Sequence, residues 1–382
     1  MARVRELLDD IVRRQLVADV PRCVLLSGGL DSSCLTALAG LELGGHGERV
    51  RSFAVDFPGQ QENFQADEFR PTPDAPFVRD VAQHVGSEHA DIVLDHTALA
   101  DPAIRRAVIT CRDIPAGLGD MDASLYLLFK SIREHSTVAL SGESADEVFG
   151  GYRWFFQPEV QRARAFPWVA ALSLPGAAGP GMVPDAMFAP GLAARLDLPR
   201  YQDDRYAEAV AEVEPAEGEG PEEFRMRVLC YLHLTRFVRM LLDRKDRMSM
   251  AVGLEVRVPF CDHRLVEYVY NTPWSLKTYD GREKSLLRGA VRDVLPESVL
   301  QRVKSPYPQT QDAQYPAALQ QQAKERLARP GHPVFELVSH DWLTSAVQTD
   351  PVSIPMRVRN GLERALDLAM WLDIYQPDLQ LP

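Results

Sequence analysis

From residue 4 to residue 141 the apolar positions alternate between helical spacing and short continuous runs. Val4, Leu7, Leu8, Ile11, Val12 and Leu16 recur at intervals of three and four, which predicts an amphipathic helix over 4–17 that Val20-Pro21 closes. CVLLS at 23–27 is an unbroken apolar run ending at Gly28-Gly29, the pattern of a strand covered on both faces. The same reading predicts a helix over 32–42, a strand over 50–57, a helix over 76–87, a strand over 89–95, a helix over 122–135 and a strand over 137–141. Strands interleaved with helices in this way predict an α/β fold built on a doubly wound parallel sheet. In such sheets ligands bind beyond the carboxyl ends of the strands, where the strand order switches.

The texture changes after residue 150. Residues 165–200 are rich in Pro, Ala and Gly and predict a long irregular connection. EPAEGEGPEEF at 214–224 predicts a solvated acidic turn, residues 223–300 are mainly helical in pattern, and 361–378 ends in an apolar helix. The expected organisation is one domain over 1–382, with an α/β core at 1–152 and a mostly helical remainder at 153–382, of which 223–310 contributes to the site.

Composition narrows the class. The 382 residues are 46% hydrophobic and 25% charged, as in a soluble globular protein able to bury a core without disulfides or metal. The net charge of −12 argues against nucleic acid as a partner, which would demand a basic surface. The five cysteines, Cys23, Cys34, Cys111, Cys230 and Cys261, form no CxxC pair and read as small buried side chains in a reducing compartment. No secretory h-region opens the chain and no stretch is apolar enough to span a membrane, so no membrane partner and a cytoplasmic location are expected.

Two strand-end segments carry the chemistry. In Ser27-Gly28-Gly29-Leu30-Asp31-Ser32-Ser33, the glycines permit a tight turn and close approach to an anion, while backbone N–H groups and the following helix supply positive potential. Asp31 would repel a phosphate unless a cation lay between them, which implies Mg²⁺. The lysine of a kinase-type P-loop is missing. In Leu140-Ser141-Gly142-Glu143-Ser144-Ala145-Asp146-Glu147-Val148-Phe149-Gly150-Gly151-Tyr152, three carboxylates fall within five residues, an arrangement that is costly without a compensating cation. Asp146 suits sharing the metal with Asp31. Glu143 suits orienting a nucleophile or accepting its proton. Glu147 reads as an acidic residue favoured by a helix N-terminus.

SGGLDSS resembles the fingerprint of the PP-loop ATP pyrophosphatases, and LSGESADEVFGGY is similar to the asparagine synthetase signature LSGEGADELFGGY, with Ser144 at the commoner glycine. The likeness continues through Asp246-Arg247-Met248-Ser249-Met250 and Leu254-Glu255-Val256-Arg257-Val258-Pro259-Phe260-Cys261-Asp262-His263-Arg264, where Cys261 stands for leucine. The charges there read as a buried ion-pair network of Glu255, Arg257 and Asp262. Arg302-Val303-Lys304-Ser305-Pro306-Tyr307 is similar to the family's R-x-K-x-x-F/Y segment, whose lysine contacts phosphates.

The resemblance runs from about residue 4 to 376 and implies a PP-loop synthetase domain without the usual N-terminal glutaminase. It implies ATP and Mg²⁺, with Leu25, Ser27, Gly28, Gly29, Asp31, Ser32, Val55, Ser141 and Gly142 toward the nucleotide. Asp31 and Asp146 would hold the metal, and Glu143 and Lys304 would be catalytic. The implied reaction adenylates a carboxylic acid and passes the acyl group to an amine, with aspartate and ammonia as the leading pair. Amide synthetases of specialised metabolism, such as β-lactam synthetases and lasso-peptide cyclases, and a catalytically degenerate nucleotide-binding scaffold are the alternatives. A separate glutaminase or other amine-supplying protein and a homodimer remain open as partners.

Overall fold

A computed structural model describes residues 1–67, 70–174 and 183–381. The chain divides into two compact units.

The first unit comprises residues 1–93, 128–167 and 208–308. Its centre is a five-stranded, wholly parallel sheet in the order β3-β2-β1-β4-β5, made by β1 (Arg22–Leu25), β2 (Arg51–Asp56), β3 (Glu88–Val93), β4 (Val138–Leu140) and β5 (Glu255–Arg257). The chain builds outward from β1 to β3 and then returns to β4 on the other side of β1, so the switch in strand order lies between β1 and β4. The loops leaving these two strands meet there, at the position where sheets of this kind bind ligands. Helices α1 (Ala2–Gln15), α2 (Leu30–Gly44) and α3 (Ala75–Val85) share one buried core with Val24, Leu26, Ala54, Val138 and Leu140. Side chains alternate across a strand, so Cys23, Phe53 and Ala139 point the other way; Phe53 stacks on His135 with ring centroids 5.8 Å apart. Both faces of the sheet are therefore covered, as the apolar runs predict.

Strand β5 falls in a stretch the sequence reading takes as helical. It is three residues long and polar at both ends, and it gains strand character from parallel pairing with β4, Val138 opposite Glu255. Its charged neighbours are not a buried network, which corrects a second expectation. Arg257 pairs with Glu255 and donates to the carbonyls of Gln15 and Val17, while Asp262 caps the helix His263–Tyr270 and pairs with Arg264, which reaches Asp10 of α1. These side chains are partly exposed and fasten the end of α1 to the sheet.

The second unit comprises residues 94–127, 168–207 and 309–382 and is helical. Here the segment expected to be irregular contains the helices Pro167–Leu172, Leu192–Leu196 and Leu198–Ala211; residues 175–182 lie outside the described residues. The final helix, Met356–Tyr375, supplies Arg359 and Asp367 to a buried ionic cluster. Arg359 pairs with Asp120 at 2.7 Å, Arg112 with Asp122 at 2.6 Å, and Arg105 with Asp367. Among the described residues no helix is long and apolar enough to cross a membrane. The cysteines are free; Cys23, Cys34 and Cys230 are buried and Cys111 and Cys261 only partly so.

Candidate active site

The loop after β1 turns at Gly28, whose φ of +69° is costly for any side chain. A Cβ there would also lie 2.8 Å from the Val78 backbone nitrogen of α3. Gly29 then enters α2 in extended conformation. The loop is tied together by serines: the Ser27 N–H donates to Ser32 Oγ at 3.1 Å, the two hydroxyls lie 3.0 Å apart, and Ser32 Oγ donates to the Gly29 carbonyl at 3.2 Å. Asp31 stands in the first turn of α2. Leu25 ends β1 and Val55 lies near the end of β2, on the same carboxyl edge of the sheet.

The loop after β4 comes against this one. Gly142 packs so closely that a Cβ would meet the Ser32 backbone nitrogen at 2.9 Å and Asp31 Cβ at 3.0 Å. Ser144 follows with φ +77°, in the left-handed region where a non-glycine residue costs about 1 kcal/mol or more, which gives a physical reason for glycine being commoner there. Its hydroxyl contacts Cys261 Sγ, the residue that replaces leucine.

Asp31 and Asp146 face each other across the ammonium of Lys284. Lys284 Nζ donates to both oxygens of Asp31, at 2.9 and 2.8 Å, and to Asp146 Oδ1 at 2.7 Å. Lys304 Nζ takes the remaining oxygen, Asp146 Oδ2, at 2.5 Å. Burial is the largest influence on Asp146 and disfavours its charge, but the two ammoniums together outweigh it and hold the carboxyl below its usual range. Burial likewise disfavours the Lys304 ammonium, and the carboxylates of Asp146 and Asp31 outweigh it, holding its pKa above the ordinary lysine value. For Asp31 burial wins, pushing its pKa up against the pull of Lys284. A second pair stands beside the first: Lys245 Nζ lies 2.8 Å from Ser141 Oγ and 3.0 Å from Glu143 Oε2.

Lys284 and Lys245 are the residues that sequence reading missed. Each is a lysine in or beside a helical stretch, where the expected role is a solvated surface charge. No local signal marks them, because their burial depends on carboxylates far away in the chain: Lys284 is 253 residues from Asp31. Arg302 was visible only as part of a motif. It donates to the Ser27 carbonyl at 3.3 Å, pairs with Asp74 and lies over the Phe77 ring at 4.1 Å, so it fastens the segment carrying Lys304 to the glycine loop. Arg247 instead pairs with Asp243 on a half-exposed helix surface.

Glu147 lies in the first turn of the helix Ala145–Phe149, as the sequence suggests. It is buried, accepts the Tyr152 hydroxyl at 2.6 Å, and burial pushes its pKa up to about 8. Behind Tyr152, Trp154 Nε1 donates to His233 Nε2 at 2.8 Å. An indole can only donate, so this nitrogen accepts, and Nδ1 carries the proton toward the Leu229 carbonyl at 2.7 Å. Burial of the neutral ring pushes the His233 pKa down to about 4 from 6.5. A lowered histidine pKa stabilises the fold above the unfolded value, and that stability is lost as pH falls from 6.5 toward 4, by roughly 3 kcal/mol. In urea titrations the gap in unfolding free energy between wild type and His233→Gln should therefore narrow by about this much between pH 7 and pH 4. An equal gap at the two pH values would mean that the imidazole is not held neutral.

Comparison with known proteins agrees with the motifs. The family described as Asparagine synthase matches residues 3–373. The chain is 36% identical, over 99% of its length, to asparagine synthetase (glutamine-hydrolyzing) 3 of Bacillus subtilis strain 168, of which it covers 61%. It is 28% identical to asparagine synthetase (glutamine-hydrolyzing) 1 of the same organism and 27% identical to the asparagine synthetase (glutamine-hydrolyzing) of Gallus gallus, over 80% of its length in each case, covering 49% and 42% of those proteins. It thus spans between about two fifths and three fifths of these curated relatives. Motifs, sheet order and matched length agree: this chain belongs to the asparagine synthase family.

Proposed function

We propose that this chain is an ATP-dependent carboxylate–amine ligase, with aspartate and ammonia as the leading substrate pair. The observation that carries this reading is the convergence of Asp31, Asp146, Lys284 and Lys304 at the switch point of a parallel sheet, directly against a glycine turn and a helix N-terminus. A triphosphate laid on that turn would meet the Ser27–Ser32 hydroxyls and backbone N–H groups, with Ser141 and Gly142 on the opposite wall. The substrate carboxylate attacks the α-phosphorus, the bond to the β-phosphate oxygen breaks, and pyrophosphate leaves an acyl-AMP. Lys304 and Lys284, which contact Asp146 and Asp31, would balance the charge that develops on the leaving group.

The carboxylates of Asp31 and Asp146 are the donor type Mg²⁺ takes, one or two carboxylates with phosphate oxygens and water completing the shell, but Lys284 and Lys304 hold all four of their oxygens, so the ion would bind here by displacing a lysine contact. Such an ion would supply further neutralisation of the pyrophosphate. In the second half-reaction the amine nitrogen attacks the acyl carbon, AMP departs, and Glu143, paired with Lys245, would accept the amine's proton.

The test is pyrophosphate release with aspartate, ammonium and ATP·Mg²⁺, with mass spectrometry of the products. Asp31→Ala and Lys304→Ala should each lower the rate at least about a hundredfold, the scale of losing one electrostatic group in the transition state. Wild-type rates in both variants would end this assignment.

A further inference from the structure

Three buried lysines of the first unit can be compared. Lys245 and Lys284 each contact carboxylates. Lys277 is only 3% exposed, yet among the described residues it contacts no carboxylate. Its ammonium, with three donors, meets the Tyr270 carbonyl at 3.5 Å and Cys230 Sγ at 3.9 Å, both at the long limit of hydrogen bonding, and lies 5.9 Å from the centroid of the Tyr270 ring. A buried ammonium so weakly paired is expensive unless an anion completes it.

Lys277 lines a cavity of about 270 Å³ that includes none of the Asp31–Lys304 cluster. Its apolar walls are Met226, Tyr270 and Trp274. The acidic segment 216–220 also lines it; this is the solvated turn that the sequence suggests, except at Glu219. Glu219 turns inward, accepting from Arg227 Nε at 2.7 Å and from the Ala216 N–H at 3.0 Å. Glu217 and Glu223 also line it; Glu223 holds the Trp274 N–H at 2.8 Å, and Glu217 is exposed.

The cavity is thus lined by the buried ammonium of Lys277, by Arg227 paired with Glu219, by the carboxylates of Glu217 and Glu223, and by aromatic and thioether surface. A simple anion would be repelled by the acidic side, and a simple amine by the lysine. We infer that this cavity is a second ligand site for a free amino acid with an uncharged side chain. The carboxylate completes Lys277, the ammonium faces Glu217 and Glu223, and the side chain lies against Trp274 and Met226. This goes beyond the ligase reading and does not depend on it, since no nucleotide is involved.

L-methionine is a suitable probe. Calorimetry on the full chain without ATP, supported by tryptophan fluorescence, should show saturable binding. Propionate and propylamine, each lacking one charge, should bind at least about tenfold more weakly. Lys277→Met should lower the methionine affinity by at least about tenfold. Its melting temperature without ligand should equal or exceed that of wild type, because the variant removes a poorly paired buried charge, so lost binding cannot be ascribed to misfolding. Lys304→Ala should bind methionine as wild type does, which separates this site from the one proposed for catalysis. The inference is overturned if methionine does not saturate, if Lys277→Met binds it unchanged, if propionate binds as tightly, or if Lys304→Ala loses binding while Lys277→Met keeps it.

Discussion

Exchange of Lys284 for methionine is expected to stop pyrophosphate formation and to destabilise the first unit together. The methionine fills a similar volume, so packing is nearly conserved and the change isolates the charge. Without the ammonium, both oxygens of Asp31 and Oδ1 of Asp146 lose their donor. Lys304 remains, but it reaches only Asp146 Oδ2. Two buried carboxylates then share one cation, and breaking such a pair costs about 3–5 kcal/mol. Urea unfolding should show this as a lower midpoint, and pyrophosphate release should fall about a hundredfold or more. An unchanged midpoint would mean that Lys284 is not what holds the carboxylates together.

The second large effect is expected at Gly142, where nothing charged is altered. An alanine methyl would stand 2.9 Å from the Ser32 backbone nitrogen and 3.1 Å from the Asp31 carbonyl carbon. These are main-chain atoms in the first turn of a helix packed into the core, so the obstacle cannot swing aside. The two loops must separate instead. Overpacking of this kind costs about 1–3 kcal/mol. A displacement approaching 1 Å between the Asp31 and Asp146 loops should lower catalytic turnover about a hundredfold, with a smaller effect on the melting temperature. Gly142→Ala with wild-type turnover would show that the two loops need not touch.

The sequence could be read where structure follows from local pattern. Runs such as CVLLS and TVALS are apolar because parallel strands are covered on both faces, and the intervening helices keep their own spacing. That carried the first four strands and the loops that leave the first and the fourth. Strand β5 escaped because its three residues, Glu-Val-Arg, have no pattern of their own; only the neighbouring β4 makes them a strand. The fold also drew in acids that composition assigns to solvent. Glu147 reads as a helix-end acid and Glu219 as part of a solvated turn, but one is buried and accepts from Tyr152, and the other meets an arginine of the following helix. The lysines were hidden for the same reason, since a lysine is recognised as structural only once its distant carboxylate is in place. The carboxylates themselves were legible because they sit inside rare glycine-bearing strings whose spacing is specific.

The order in which the cluster is translated has a consequence for how the protein comes into being. Asp31 and Asp146 emerge from the ribosome long before the ammoniums at 284 and 304, so a nascent chain carries two acids with no counter-charge. Repulsion between them resists early docking of the β4 loop on the β1 loop, and the arrival of Lys284 removes that resistance. Contacts of such long sequence separation form late in folding, and a chain cut short before residue 284 would lack the ammoniums that join the two loops.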